Sequence, residues 1–148
     1  MRLPRRKAAE PQGMFDHIGI VVSDLQRSAR LYAHMLAPLG LRIVEKHRTG
    51  PGEGWVVIAS GEPAAPFFVL AAGRPSFWPA EARPAASPVH LCFRAPSREA
   101  VDAFHRAGLA HGARDNGAPG VRRQPFYDAF LIDPDDNNIE AGLYLPPA

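Results

Sequence analysis

The chain reads as an α+β protein built from two copies of one βαβββ unit. Three observations predict this. Two short apolar strands each open near a histidine, Phe15-Asp16-His17-Ile18-Gly19-Ile20-Val21-Val22 and Val89-His90-Leu91-Cys92-Phe93, with the histidines 73 residues apart. Each strand runs straight into a helix-start signal. Each helix is followed by strand-forming segments set between glycine- and proline-rich turns. At 148 residues the chain is long enough for one domain, or two small packed halves, with a sizeable core.

In the first unit, Ile18, Ile20 and Val22 alternate with His17, Gly19 and Val21, and both faces are apolar enough to be covered. Ser23-Asp24-Leu25-Gln26 reads as a capping box with Ser23 as the cap. Leu25, Ala29, Tyr32, Leu36 and Leu39 recur at helical spacing, and Gly40 stops the helix. Strands are expected at Leu41–Glu45, Gly54–Ser60 and Pro66–Ala72, separated by Thr49-Gly50-Pro51-Gly52 and Gly61-Glu62-Pro63.

The second unit begins with a strand over Val89–Ala95, with Val89, Leu91 and Phe93 on one face and His90, Cys92 and Arg94 on the other. Ser97 and Glu99 open a helix carrying Val101, Phe104 and Ala107, with Gly112 at its end. A strand is then expected by analogy with the first copy, followed by a Gly- and Arg-rich loop at Asp115–Gly120. A strand at Phe126–Ile132, the turn Asp133-Pro134-Asp135-Asp136 and a last strand at Asn138–Tyr144 complete the copy. Residues 73–87 read as the linker and 1–13 as a disordered basic leader.

Composition narrows the functional classes. Hydrophobic content of 46% with 22% charge is that of a globular protein. No apolar run approaches the ~20 residues that span a membrane, and no apolar stretch follows the basic N-terminus, so no membrane or secretory role is expected. The lone Cys92 excludes an internal disulfide framework and fits a reducing cytoplasm. The leader carries Arg2, Arg5, Arg6 and Lys7 against Glu10, more than the whole net charge of +2, so residues 14–148 sum to −1. The basicity belongs to a tail rather than a binding face, and nucleic acid is not an expected partner.

Two histidines at equivalent places in a duplicated unit, joined by Glu140 on the last strand, are a recipe for a metal site. Phe15–Leu25, Val89-His90-Leu91 and Asp133-Pro134-Asp135-Asp136-Asn137-Asn138-Ile139-Glu140 together resemble the vicinal oxygen chelate superfamily: glyoxalase I, extradiol dioxygenases, and fosfomycin- and bleomycin-resistance proteins. The resemblance spans residues 14–145. It implies two βαβββ modules forming a funnel-shaped mixed β-sheet, with His17, His90 and Glu140 binding a divalent metal (Fe, Mn, Zn, Ni or Co). It further implies an enzyme acting on a small substrate with vicinal oxygens, as a lyase or isomerase or as a dioxygenase. The alternative is a metal-free small-molecule or antibiotic-binding resistance protein. Modules of this kind pair within one chain or between two, so a homodimer is one expected arrangement.

Laying Ile139-Glu140-Ala141 onto Phe68-Val69-Leu70 puts Val69 where a glyoxalase-type site has its fourth ligand, and valine cannot ligate. The remaining two-His-one-carboxylate set leaves open positions, as at non-haem Fe(II) sites. Phe130 stands where the dioxygenases have an acid/base tyrosine. Tyr127 is the nearest phenol, expected on the opposite strand face unless a bulge intervenes, and is the candidate proton donor. Cys92, facing with His90, reads as a funnel-wall residue with ligation as the alternative. Arg122 and Arg123 follow the Gly-rich loop and are candidates to clamp a substrate anion. Trp55, Phe67, Phe68, Phe77 and Trp78 supply funnel, lid or core aromatics. His34, His47, His105 and His111 have no partner spacing and are expected at the surface. The Asp133–Asp136 turn matches a calcium loop only in its acid count.

Overall fold

A computed structural model describes residues 14–73 and 88–147 of the chain. The leader expected at 1–13, nearly all of the linker expected at 73–87, and Phe77 and Trp78 lie outside the described residues. The elements are β1 (His17–Val21), α1 (Leu25–Leu36) ending in a 3₁₀ turn (Ala37–Leu39), β2 (Arg42–Gly50), β3 (Glu53–Ala59) and β4 (Phe67–Ala72). The second copy is β5 (His90–Arg94), α2 (Arg98–Ala110), β6 (Arg114–Arg123), β7 (Phe126–Ile132) and β8 (Asn138–Tyr144). They form two four-stranded mixed sheets of order β1-β4-β3-β2 and β5-β8-β7-β6. In each, the first strand pairs parallel to the last and the other pairs are antiparallel. The βαβββ duplication is therefore present in full.

Strand alternation decides what faces the helices. Ile18, Ile20, Phe68 and Leu70 point from the first sheet, and Leu91, Phe93, Leu131 and Ile139 from the second, into one continuous core. Leu31, Tyr32, Met35 and Leu36 of α1 and Val101 and Phe104 of α2 fill it and are fully buried. The helices pack against each other, and Phe68 meets Phe93 edge-on with ring centroids 5.4 Å apart. The modules thus join through their helix-bearing faces. No helix among the described residues is long and apolar enough to cross a membrane.

Two local expectations need correction. The first helix is capped by Asp24, whose Oδ1 accepts from the Arg27 N–H at 2.9 Å, and not by Ser23. The Ser23 N–H is instead held by the Asp135 carboxylate at 3.1 Å, so the turn between β7 and β8 of the other module claims it. The Gly- and Arg-rich segment Asp115–Gly120 is not a loop but the middle of β6. Pairing with β7 imposes extended structure on a segment of low intrinsic propensity, with register breaks around Gly117.

The second helix starts as the sequence predicts. The Ser97 hydroxyl oxygen accepts from the Ala100 N–H at 3.1 Å. Ser97→Ala is expected to cost about 1 kcal/mol, read as a lower denaturant midpoint at unchanged slope. An unchanged midpoint would show that this cap contributes nothing.

Candidate functional site

The sheet faces turned away from the helices carry the chemistry. On the second sheet His90, Cys92 and Arg94 of β5 lie beside Asn138, Glu140 and Gly142 of β8, and Glu140 pairs across with Phe130 of β7. His90 Nε2 stands 3.0 Å from Glu140 Oε2. The other ring nitrogen, Nδ1, is 3.0 Å from the Asn138 carbonyl oxygen. Nδ1 can only donate to that carbonyl, so the proton shared between Nε2 and the carboxylate is the one a cation would displace. Phe130 stacks beside the imidazole with centroids 6.1 Å apart.

Glu140 is nearly enclosed, its side chain 9% exposed. Burial, with the nearby Asp128 carboxylate adding to it, raises its pKa, and His90 and Cys92 work in the opposite direction. Burial and the same Glu140 push the Cys92 thiol up to about 12. This pocket therefore holds negative charge at a cost, and a cation beside Glu140 would relieve it.

His17 occupies the corresponding place on the first sheet. Its Nδ1 lies 2.6 Å from Asp16 Oδ1, and its ring stacks on Phe67 at 4.5 Å and 7°. Here too Nδ1 is tied, and Nε2 has no partner among the described residues. An open cavity of about 850 Å³ lies over this face, lined by His17, Glu45, His47, Trp55, Phe67 and Val69 among others, all from the first module. His47 is not a solitary surface residue: it stacks on Trp55 at 4.4 Å and bonds Glu45 at 2.9 Å.

The strand registers establish which positions correspond. His17 pairs with Phe67 and Gly19 with Val69; His90 pairs with Asn138 and Cys92 with Glu140. Val69 therefore occupies the place of Glu140 in the first copy, and the first module offers one ligating side chain there where the second offers two.

The structure brings His90, Glu140, Cys92 and Phe130 to one face but does not bring His17 to them. Among the described residues no three His, Cys, Asp or Glu side chains lie close enough to hold a metal. His17 and His90 keep about half of their side chains exposed, at 54% and 51%.

Two further expectations change. Tyr127 does not reach the site: it packs against the core and its hydroxyl donates to Asp102 of α2 at 2.7 Å. That hydrogen bond retains the phenol proton and raises its pKa. Arg122 shares the face but is already engaged: it donates to the Asp128 carboxylate at 2.6 Å and carbonyl at 3.0 Å, and to the Ala118 carbonyl. Its guanidinium lies over the Phe130 ring, 5.3 Å from the centroid. It holds Asp128 beside Glu140 and is not free to clamp a substrate.

The expected surface placement also fails for His105, which is 9% exposed and bonds Asp115 at 2.8 Å. His34 and His111 stack on each other at 3.7 Å, bringing the two helix ends together. Sequence reasoning placed Arg94 on this face without giving it a role, and passed over Asp128. The signal for Asp128 was the same strand alternation, which puts it on the side of Phe130 and Glu140.

A model of the Glyoxalase/Bleomycin resistance protein/Dioxygenase superfamily matches residues 14–141. Among solved structures, the chain is similar to a glyoxalase/bleomycin resistance protein from Albidiferax ferrireducens T118. The identity is 32%, with 88% of this chain and 98% of that one covered and a TM-score of 0.65. A lactoylglutathione lyase from Agrobacterium tumefaciens shares the fold at 19% identity, with coverages of 89% and 94% and a TM-score of 0.60. TioX from Micromonospora sp. ML1 shares it at 12% identity, with coverages of 90% and 100% and a TM-score of 0.63. The search of curated proteins returned no match.

Proposed function

The chain belongs to the Glyoxalase/Bleomycin resistance protein/Dioxygenase superfamily, and from that premise we propose that it is a metal-dependent enzyme acting on a small substrate with vicinal oxygens. His90 and Glu140 of one copy and His17 of a second copy would hold a divalent ion. The observation that carries this reading is the His90–Glu140 pair. Its 3.0 Å separation matches the edge of an octahedron whose metal–ligand bonds are about 2.1 Å long. The imidazole is also prepared for the role, because Nδ1 is committed to a carbonyl and a ligating histidine is oriented by such a bond. His17, with Nδ1 on Asp16, is prepared in the same way.

A metal bound there would act as a Lewis acid on the two substrate oxygens and stabilise the anion formed from them. The chain's own residues do the rest. Phe130 walls the site and shields it from water, and Asp128, neutralised by Arg122, holds the floor beside Glu140. With its hydroxyl committed to Asp102, Tyr127 does not serve as the proton donor.

The second copy enters because the two ligand-bearing faces of one chain look outward, with the cavity beside His17 lined by the first module alone. The rival reading is a metal-free binding protein. It draws support from Val69, which removes one ligand, and from the aromatic cavity of Trp55 and Phe67.

Metal analysis of purified wild type beside His90→Ala and Glu140→Ala separates the two readings. Wild type is expected to retain about one divalent ion per chain, with each variant at least roughly tenfold weaker. Equal metal content in all three would leave only the binding protein.

A further inference from the structure

Beyond the metal ligands, the second-module face continues into a cavity of about 510 Å³ at the far end of β5 and β8, lined by Cys92, Arg94, Phe126, Gly142 and Tyr144 among others. We infer that Arg94 is an anion anchor there and that the substrate carries a carboxylate or phosphate on an apolar or aromatic body. The substrate class rests on the metal reading above; the anchor itself does not.

Three observations carry the inference. Arg94 lies on the same strand face as His90 and Cys92, opposite Gly142 of β8. At about 3.3 Å per residue it stands roughly 7 Å beyond the Cys92–Glu140 row, the reach of a small molecule. Second, its guanidinium has no hydrogen-bond or ion-pair partner among the described residues, in contrast to Arg122, which Asp128 neutralises. A solvated arginine spends no internal bond when it takes up an anion, and its planar fork fits a carboxylate or phosphate bidentately.

Third, the cavity has an aromatic wall. Phe126 and Tyr144 meet edge-on at 4.9 Å, and Arg123, also without a carboxylate partner among the described residues, lies over the Phe126 ring at 5.6 Å. The wall is built at the expense of residue 142: a Cβ there would meet the Phe126 ring at 2.5 Å, so only a glycine leaves room for the ring over this position. One guanidinium on an aromatic-lined cavity, with a second over the Phe126 ring, favours a negative head on a planar or apolar body.

The test uses full-length protein and two probes. In chelator-treated protein, 3-phenylpropanoate and its uncharged amide are titrated by NMR against wild type, Arg94→Gln and Arg94→Lys. These probes have no vicinal oxygens, so the anchor is read without the metal. Wild type is expected to prefer the acid by on the order of tenfold. Arg94→Gln should lose that preference with unchanged amide binding, and Arg94→Lys should recover part of it. Arg94 lies exposed on an edge strand, so the variants should fold. In metal-loaded protein, 3-(3,4-dihydroxyphenyl)propanoate should bind more tightly than 3-phenylpropanoate, and His90→Ala should abolish that gain alone. No acid preference in wild type, or a preference that survives Arg94→Gln, overturns the anchor. A missing gain from the vicinal oxygens, with the acid preference intact, overturns the metal reading and leaves the anchor standing.

Discussion

A heterodimer of one His17→Ala chain and one Glu140→Ala chain is expected to hold about half the metal of the wild-type dimer, although each variant alone holds almost none. In a two-fold dimer whose sites are shared, each site takes His17 from one chain and His90 and Glu140 from the other. The His17→Ala homodimer lacks a ligand in both sites, and so does the Glu140→Ala homodimer. Pairing the two variants gathers both lesions into one site and restores the other. If each site were built within a single chain, every chain in the mixture would still lack a ligand and nothing would be regained.

The geometry behind this expectation is the separation of His17 from the His90–Glu140 pair while each faces outward on its own sheet. Coexpression with two different tags, tandem purification of the mixed dimer and metal analysis give the answer. Failure to recover a mixed dimer, or a mixed dimer as empty as its parents, would reject the shared site.

Much of this site was legible in the sequence because two periodicities reinforced each other. The duplication located equivalent strands, and the period-2 alternation within them put His90, Cys92, Arg94 and Glu140 on one face. The substitution of Val69 at the position of Glu140 needed only that register to be right, and the pairing of Gly19 with Val69 and of Cys92 with Glu140 bears it out.

What escaped was set by partners distant in sequence. Asp24, the residue directly before the helix, takes the capping role expected of Ser23, whose N–H goes to Asp135, 112 residues away. β6 was hidden in a Gly- and Pro-rich segment that is extended only because β7 pairs with it, and its irregular register conceals that Arg122 reaches Asp128. Tyr127 lay on the helix side by simple alternation; no bulge in β7 rescues it. Whether the two faces of one chain meet is a question of module packing, which residue patterns within a strand do not encode.

The largest stability effect is expected at Asp133, which the sequence presented as an ordinary turn residue. Its carboxylate is 1% exposed and accepts from the Asp135 N–H at 2.8 Å, the Asn137 N–H at 2.9 Å, the Asn137 side-chain amide at 3.0 Å and the Tyr32 hydroxyl at 2.6 Å. Three of these bonds shape the turn that feeds β8; the fourth reaches α1 of the other module. Asp133→Ala leaves the Tyr32 hydroxyl, on a side chain with no exposed surface, and the turn's donors without their acceptor. A loss of roughly 3–5 kcal/mol follows from several bonds to one buried charge failing together.

Tyr32→Phe removes one donor and keeps the turn, so it should cost about 1–2 kcal/mol. The pH dependence separates the two roles. Burial first, and Asp133 second, raise the Tyr32 pKa above its ordinary value. Its contribution is complete below the unfolded value of about 10 and is lost as pH rises through the folded one. The gap between wild type and Tyr32→Phe should therefore narrow in alkali, while the Asp133→Ala deficit from the turn persists. Denaturant titrations at pH 7 and above 10 read both; an Asp133→Ala midpoint within about 0.5 kcal/mol of wild type would refute the network. Because this turn ties α1 to the start of β8, the same variant should also loosen the placement of Glu140 relative to the first module, and with it the geometry on which a shared metal site depends.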